Sequence, residues 1–180
     1  MNYIIFDLEA TCDENKNFNK EIIEIGAVKI TKPLVSHYIE ETTFSAFVKP
    51  VDNPILTEFC KNLTSIEQLD VDNAKFFPNV ISDFIEWMGT DYILCSWGFY
   101  DRFQLIKDLH NHRLQSDWVN QHISLKHQFA DIYDMKPCSM KKALNIMNVP
   151  LNGTHHRGID DAKNISKIFL KLFTKWNFNI

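Results

Sequence analysis

Asp7 and Glu9 are the first residues in this chain whose placement asks for chemistry. They belong to Tyr3-Ile4-Ile5-Phe6-Asp7-Leu8-Glu9-Ala10, a short apolar run rich in isoleucine and aromatic residues. Such a run reads as a buried strand. Residues two apart on a strand share a face, so the two carboxylates project side by side. Like charges held that close repel unless a cation lies between them, which makes the pair a candidate divalent-metal site. Taken alone, the pattern also fits a solvated strand end carrying ordinary surface acids.

Further along, Asp101 follows another apolar run, Tyr92-Ile93-Leu94-Cys95-Ser96-Trp97, after a turn at Gly98. Ligand sites of α/β proteins gather at such strand ends. A helix-opening acid favoured by the macrodipole is the plainer explanation. In the last helix, the apolar positions Ile165, Ile168, Phe169, Leu172 and Trp176 define the inward face. Four residues before Ile165 stands Asp161, at the head of that stripe, whereas Asp160 falls with Asn164, Lys167 and Lys171 on the solvent side. An inward carboxylate is costly unless compensated, by a metal or by hydrogen bonds. His156 lies five residues before Asp161 and titrates near neutrality, so it can take a proton from water. His155 is its rival on these grounds. The other histidines (37, 110, 112, 122 and 127) have no comparable setting, and His110 and His112 read as helix surface. Lys163, Lys167, Lys171 and Lys175 form a spaced cationic stripe, read as a solubility feature or as a track for phosphates.

The elements that must position these groups follow from periodicity. After the first strand, residues 11–20 are polar and read as a loop. Residues 21–30 form a second strand, and a third lies within 36–49, giving a three-stranded antiparallel meander. From residue 55 the period becomes helical, with Thr64 and Glu67 as a capping-box candidate. Pro78 opens a helix that Gly89 ends. A further helix begins near Tyr100. Residues 111–127 show no clear period, Phe129–Tyr133 is a last strand candidate, Ser139 caps a short helix, and Ile159 to Trp176 is a long amphipathic one. These 180 residues have the length of one domain, and 45% hydrophobic residues with 14 Phe and 4 Trp support a packed core. A formal charge of -4 argues against coating nucleic acid by bulk charge. Handling one phosphodiester beside bound cations stays compatible with it. Cys12, Cys60, Cys95 and Cys138 show no Cys-x-x-Cys pairing, so reduced thiols and a cytoplasmic location are expected, with no leader or membrane-spanning run. The expected class is α/β, a single domain over 1–180 with a mixed five-stranded sheet flanked by helices.

Together, Asp7-x-Glu9, Asp101 and His156-x4-Asp161 resemble the DEDDh class of 3′→5′ exonucleases. The blocks Phe6-Asp7-Leu8-Glu9-Ala10-Thr11-Cys12, Glu21-Ile22-Ile23-Glu24-Ile25-Gly26-Ala27, Phe47-Val48-Lys49-Pro50, Phe59-Cys60-x2-Leu63-Thr64, Ser96-Trp97-Gly98-x-Tyr100-Asp101 and His156-Arg157-Gly158-Ile159-Asp160-Asp161 resemble one branch of it, the enhanced-RNAi / histone-mRNA 3′-exonucleases. The resemblance runs from residue 4 to about 170. It implies an RNase H-like fold and two Mg2+ (or Mn2+) ions held by Asp7, Glu9, Asp101 and Asp161, with His156 rather than His155 as the general base. It further implies that the terminal nucleotide stacks between Phe59 and Tyr100, with backbone near Ala10 and Thr11 close to the sugar. The expected activity is removal of nucleoside 5′-monophosphates from single-stranded 3′ ends, RNA first. DNA or short oligonucleotides as substrate, or a non-catalytic nucleic-acid-binding module, are the alternatives. Animal members carry an N-terminal SAP-type domain, for which these 180 residues leave no room.

Overall fold

A computed structural model describes residues 1–14, 18–31 and 40–179. Residues 15–17 of the expected loop and 36–39 of the expected third strand lie outside the described residues. The centre of the fold is β1 (Asn2–Ala10), which pairs antiparallel with β2 (Ile22–Thr31) on one side; β2 pairs antiparallel with β3 (Glu40–Lys49). This is the expected meander. A short α1 (Glu58–Thr64) and α2 (Gln68–Asp72) lead to β4 (Lys75–Phe76), which adds parallel to the outer edge of β3. Next come α3 (Phe77–Met88), β5 (Tyr92–Ser96), which is parallel to β1, and α4 (Tyr100–Asn111). The chain continues through β6 (His122–Ser124), parallel to β5, then α5 (Leu125–Ile132), α6 (Met140–Ile146) and α7 (Gly158–Lys171). The sheet runs β4-β3-β2-β1-β5-β6.

β1 is apolar on both faces because both are covered. Ile4, Phe6 and Leu8 pack with Val80, Phe84, Leu105 and Leu109 of α3 and α4. Ile5 points the other way, into a layer with Phe129, Leu144, Ile165 and Phe169 from α5, α6 and α7. By strand alternation Asp7 and Glu9 share the face of Ile5, the face on which α7 lies. α7 comes unusually close to the sheet. A Cβ on Gly26 would sit 2.0 Å from the Ile159 nitrogen, so only glycine lets the helix start there. Asp7 is the β1 partner of Gly26, and Glu9 that of Glu24. The close approach therefore delivers the first turn of α7 directly onto the acidic pair.

Some expectations need correction. The sheet has six strands rather than five, because β4 adds a two-residue pairing too short to show periodicity. Phe129–Tyr133 is not a strand: Leu125, Phe129 and Ile132 recur at helical spacing within and against the core, and residues 125–132 are helical. The last strand is instead His122–Ser124, in the stretch that showed no period. The capping box of α2 belongs to Glu67 and Asp70 rather than to Thr64 and Glu67; the Thr64 hydroxyl donates back to the Cys60 carbonyl. The last helix ends at Lys171 and continues only as a 3-10 turn over Phe173–Lys175. Asn164 is not on the solvent side. It is fully buried, and its amide donates to the carbonyls of Asn152 and Asp160, pinning the preceding loop to α7.

Candidate active site

Four carboxylates from distant segments meet in one cleft of about 350 Å³, lined by Asp7, Glu9, Asp101 and Asp161 together with Tyr100, His155 and His156. One carboxylate oxygen from each of Asp7, Glu9 and Asp161 lies within 4.8 Å of the others. Asp161 is 4% exposed at the head of the α7 stripe, as its spacing requires. Asp101 opens α4 where β5 ends, and its Oδ1 accepts the Leu8 backbone N–H at 3.3 Å, which ties the helix start to β1 between the two acids. The segment before α7 wraps the Asp161 carboxylate. His156 has a left-handed φ of 65°, and its backbone N–H donates to Asp161 Oδ2 at 3.1 Å. His155 Nδ1 lies 3.0 Å from the same oxygen, with the two imidazoles stacked 4.0 Å apart.

The electrostatics are those of charge held without compensation. Burial first, then Asp101, Glu9 and Asp161, hold the Asp7 carboxyl well above the ordinary range. Burial, then Asp161, Glu24 and Asp101, push Glu9 up to about 8. Burial raises Asp101 to about 6, against the pull of its backbone N–H donors. Among the described residues no lysine or arginine forms an ion pair with Asp7, Glu9 or Asp101. The nearby buried Glu24, 1% exposed, differs: it takes Arg157 Nε at 3.2 Å and the Gly158 N–H at 2.9 Å. A cluster of hard oxygen donors short of positive charge fits Mg2+, Mn2+ or Ca2+ better than a soft metal. Burial and the neighbouring His155 lower the His156 pKa, against Asp161, which keeps the ring in its proton-accepting form near neutrality.

The remaining predicted residues are placed less uniformly. Tyr100, 50% exposed, lines the cleft. Phe59, 39% exposed on α1, lines a separate hollow with Asp13 and Thr57, and no ring contact between Phe59 and Tyr100 occurs among the described residues. Helix α1 is stitched to the end of β1, where the Thr57 hydroxyl donates to the Cys12 carbonyl and the Cys60 thiol to that of Ala10. The Thr11 hydroxyl is already used, accepting the Glu21 N–H at 2.9 Å. Sequence reasoning missed three residues around the site. Glu24 sits two residues from the glycine that meets α7, but nothing in its spacing marks it as buried. Lys126, on the cleft wall, lies in the stretch 111–127 that shows no clear period, in the first turn of helix α5. His122 has no distinguishing setting in the sequence, yet it is buried against Ser96 behind Asp101. His112 is also half-buried, stacked on Phe77 at 5.0 Å, whereas His110 is on the surface as expected.

Comparison with known proteins gives the family of the chain. Residues 4–169 match the exonuclease family RNase_T. The rat 3′-5′ exoribonuclease 1 is 32% identical over 183 residues, covering 93% of this chain and 52% of the relative. The fission yeast 3′-5′ exonuclease eri1 is 28% identical over 203 residues, covering 94% of this chain and 67% of the relative. The chain thus spans about half the length of the mammalian exoribonuclease 1 it matches. Among solved structures, the nuclease domain of 3′hExo, a DEDDh family member bound to rAMP, superposes with a TM-score of 0.87 at 30% identity, covering 96% of this chain and 92% of that one. The fold is that of an RNase H-like exonuclease domain, and the chain belongs to the DEDDh 3′→5′ exonuclease superfamily, on its enhanced-RNAi / histone-mRNA 3′-exonuclease branch.

Proposed function

We propose that this chain is a 3′→5′ exonuclease that removes nucleoside 5′-monophosphates from single-stranded ends, RNA before DNA, using two Mg2+ or Mn2+ ions. The observation that carries the reading is the convergence of Asp7, Glu9 and Asp161 oxygens within 4.8 Å, with Asp101 in the same cleft. The DEDDh class is metal-dependent, and the rat and mouse relatives are named exoribonucleases. Asp7, Glu9, Asp101 and Asp161 would hold the ions, which supply an activated water and neutralise charge on the departing 3′-oxygen. His156 would take a proton from the attacking water, and Glu9 would orient that water for in-line attack. Tyr100 and Phe59 offer faces on which any base can stack, with the strand end at Ala10 and Thr11 beside the sugar. A second assignment of the base, to His155, is favoured by its ring contact with Asp161 at 3.0 Å.

The test is a 5′-labelled single-stranded RNA and its DNA counterpart, each incubated with Mg2+ or with EDTA. A ladder of shortened RNA that vanishes in EDTA is the expected result. Shortening of DNA alone would move the substrate class, and gel retardation without shortening would make the chain a binding module.

A further inference from the structure

Behind Asp101, on the side away from the cleft, lies a chain of buried polar groups that the proposed chemistry does not use. Ser96, the last residue of β5, is fully buried. Its hydroxyl donates to the Gly98 carbonyl at 2.9 Å and lies 2.9 Å from His122 Nε2, and Ser96 is among the groups that hold the Asp101 carboxyl down against its burial. His122 comes from β6, opposite Leu94, and is 9% exposed, with its ring edge-on to Phe6 and beside Phe99. Its other nitrogen, Nδ1, has no partner among the described residues.

The proton inventory decides how this chain works. A hydroxyl carries one hydrogen, and the Gly98 carbonyl only accepts. Ser96 therefore donates to Gly98, and Nε2 of His122 must supply the N–H that Ser96 accepts. Burial holds the His122 ring in its neutral form, with a pKa near 4. Leaving Nδ1 buried and bare costs free energy that a leucine of similar size would not incur. Packing alone thus gives no reason for a histidine here.

We propose that Ser96 and His122 are positioning residues for Asp101: His122 orients the Ser96 hydroxyl, and Ser96 holds the Gly98 turn from which the first turn of α4 carries Asp101 into the cleft. This rests on Asp101 being a metal ligand, as proposed above. Outer partners of metal ligands typically change metal affinity or activity by 10–100-fold when removed.

The experiment measures Mn2+ affinity by electron paramagnetic resonance, and thermal melting in EDTA, for Ser96→Ala, His122→Leu, His122→Gln and Asp101→Asn. Ser96→Ala and His122→Leu are expected to weaken Mn2+ binding about tenfold or more. The Mn2+ concentration for half-maximal turnover should rise in step, with the saturated rate largely recovered. His122→Gln keeps an amide N–H near the Nε2 position and should stay within about threefold of the parent, since the bond to Ser96 survives. Should His122→Leu fail to fold, Ser96→Ala against His122→Gln still decides. Unchanged Mn2+ affinity in Ser96→Ala, with only melting lowered, would overturn the inference and leave a purely structural pair. Unchanged affinity in Asp101→Asn would instead overturn the metal assignment on which the inference stands.

Discussion

Asp7 and Glu9 are carboxylic acids that the fold holds against their own charge. Glu9 moves from an ordinary 4.5 to about 8, through burial and then its acidic neighbours. Without metal, the folded chain therefore retains a proton that the unfolded chain has already lost. The stabilisation is complete below the unfolded value near 4.5 and is lost as pH rises through about 8, and Asp7 acts in the same direction. Urea unfolding in EDTA should give a lower midpoint at pH 8 than at pH 5.5, and saturating Mg2+ should abolish that fall by taking the proton's place. A midpoint that rises with pH in EDTA would contradict this. Asp101→Asn and Asp161→Asn should abolish turnover with the circular dichroism spectrum of the parent. His156→Ala should lower kcat at pH 7 by about 10²–10⁴ while Mn2+ still binds. Parent-like turnover in His156→Ala, with that loss appearing in His155→Ala, would move the base to His155.

The placing of α7 decides whether those residues meet at all. Gly26 admits the helix because it has no side chain, and Glu24 beside it holds Arg157 and the Gly158 N–H. Gly26→Ala should destabilise by about 1–3 kcal/mol through overpacking and should also cut turnover, because Asp161 rides on the helix that must move. Denaturant titration and single-turnover kinetics on the same sample check both. Parent-like kinetics in a folded Gly26→Ala chain would show that this contact does not set the site. Periodicity made α7 legible: its apolar stripe alone placed Asp161 inward and separated it from Asp160. It misjudged Asn164 because a side chain that bonds to backbone can lie in a polar stripe and still be buried. Strands β4 and β6, of two and three residues, span barely one repeat of strand alternation, so only their partners in the sheet reveal them. The same shortness hid His122. Its neighbours in space, Ser96 and Phe6, come from strands far away in sequence. The acidic pair on β1 was legible for the opposite reason, since strand alternation is local and needs no partner.

For the molecule as a whole, charge limits how substrate is held. The net charge is -4, and the lysines of α7 and of the turn after it do not line the cleft: Lys163, Lys171 and Lys175 are exposed, while Lys167 turns back to the Asn164 side chain at 3.2 Å. Few phosphates can then be neutralised by protein cations, so the salt dependence of RNA affinity should be shallow, with a log–log slope of about -1 to -2. Degradation should also be distributive. With a large excess of unlabelled RNA added after the first encounter, products one nucleotide shorter should dominate; full digestion of the bound molecules would contradict this. Acids from three separate segments, β1, α4 and α7, are brought together to bind the catalytic cations, and a Mn2+ titration followed by electron paramagnetic resonance in the presence of adenosine 5′-monophosphate checks this. Two ions should bind per parent chain, with at least one lost in Asp161→Asn. Parent-like binding in Asp161→Asn would contradict it.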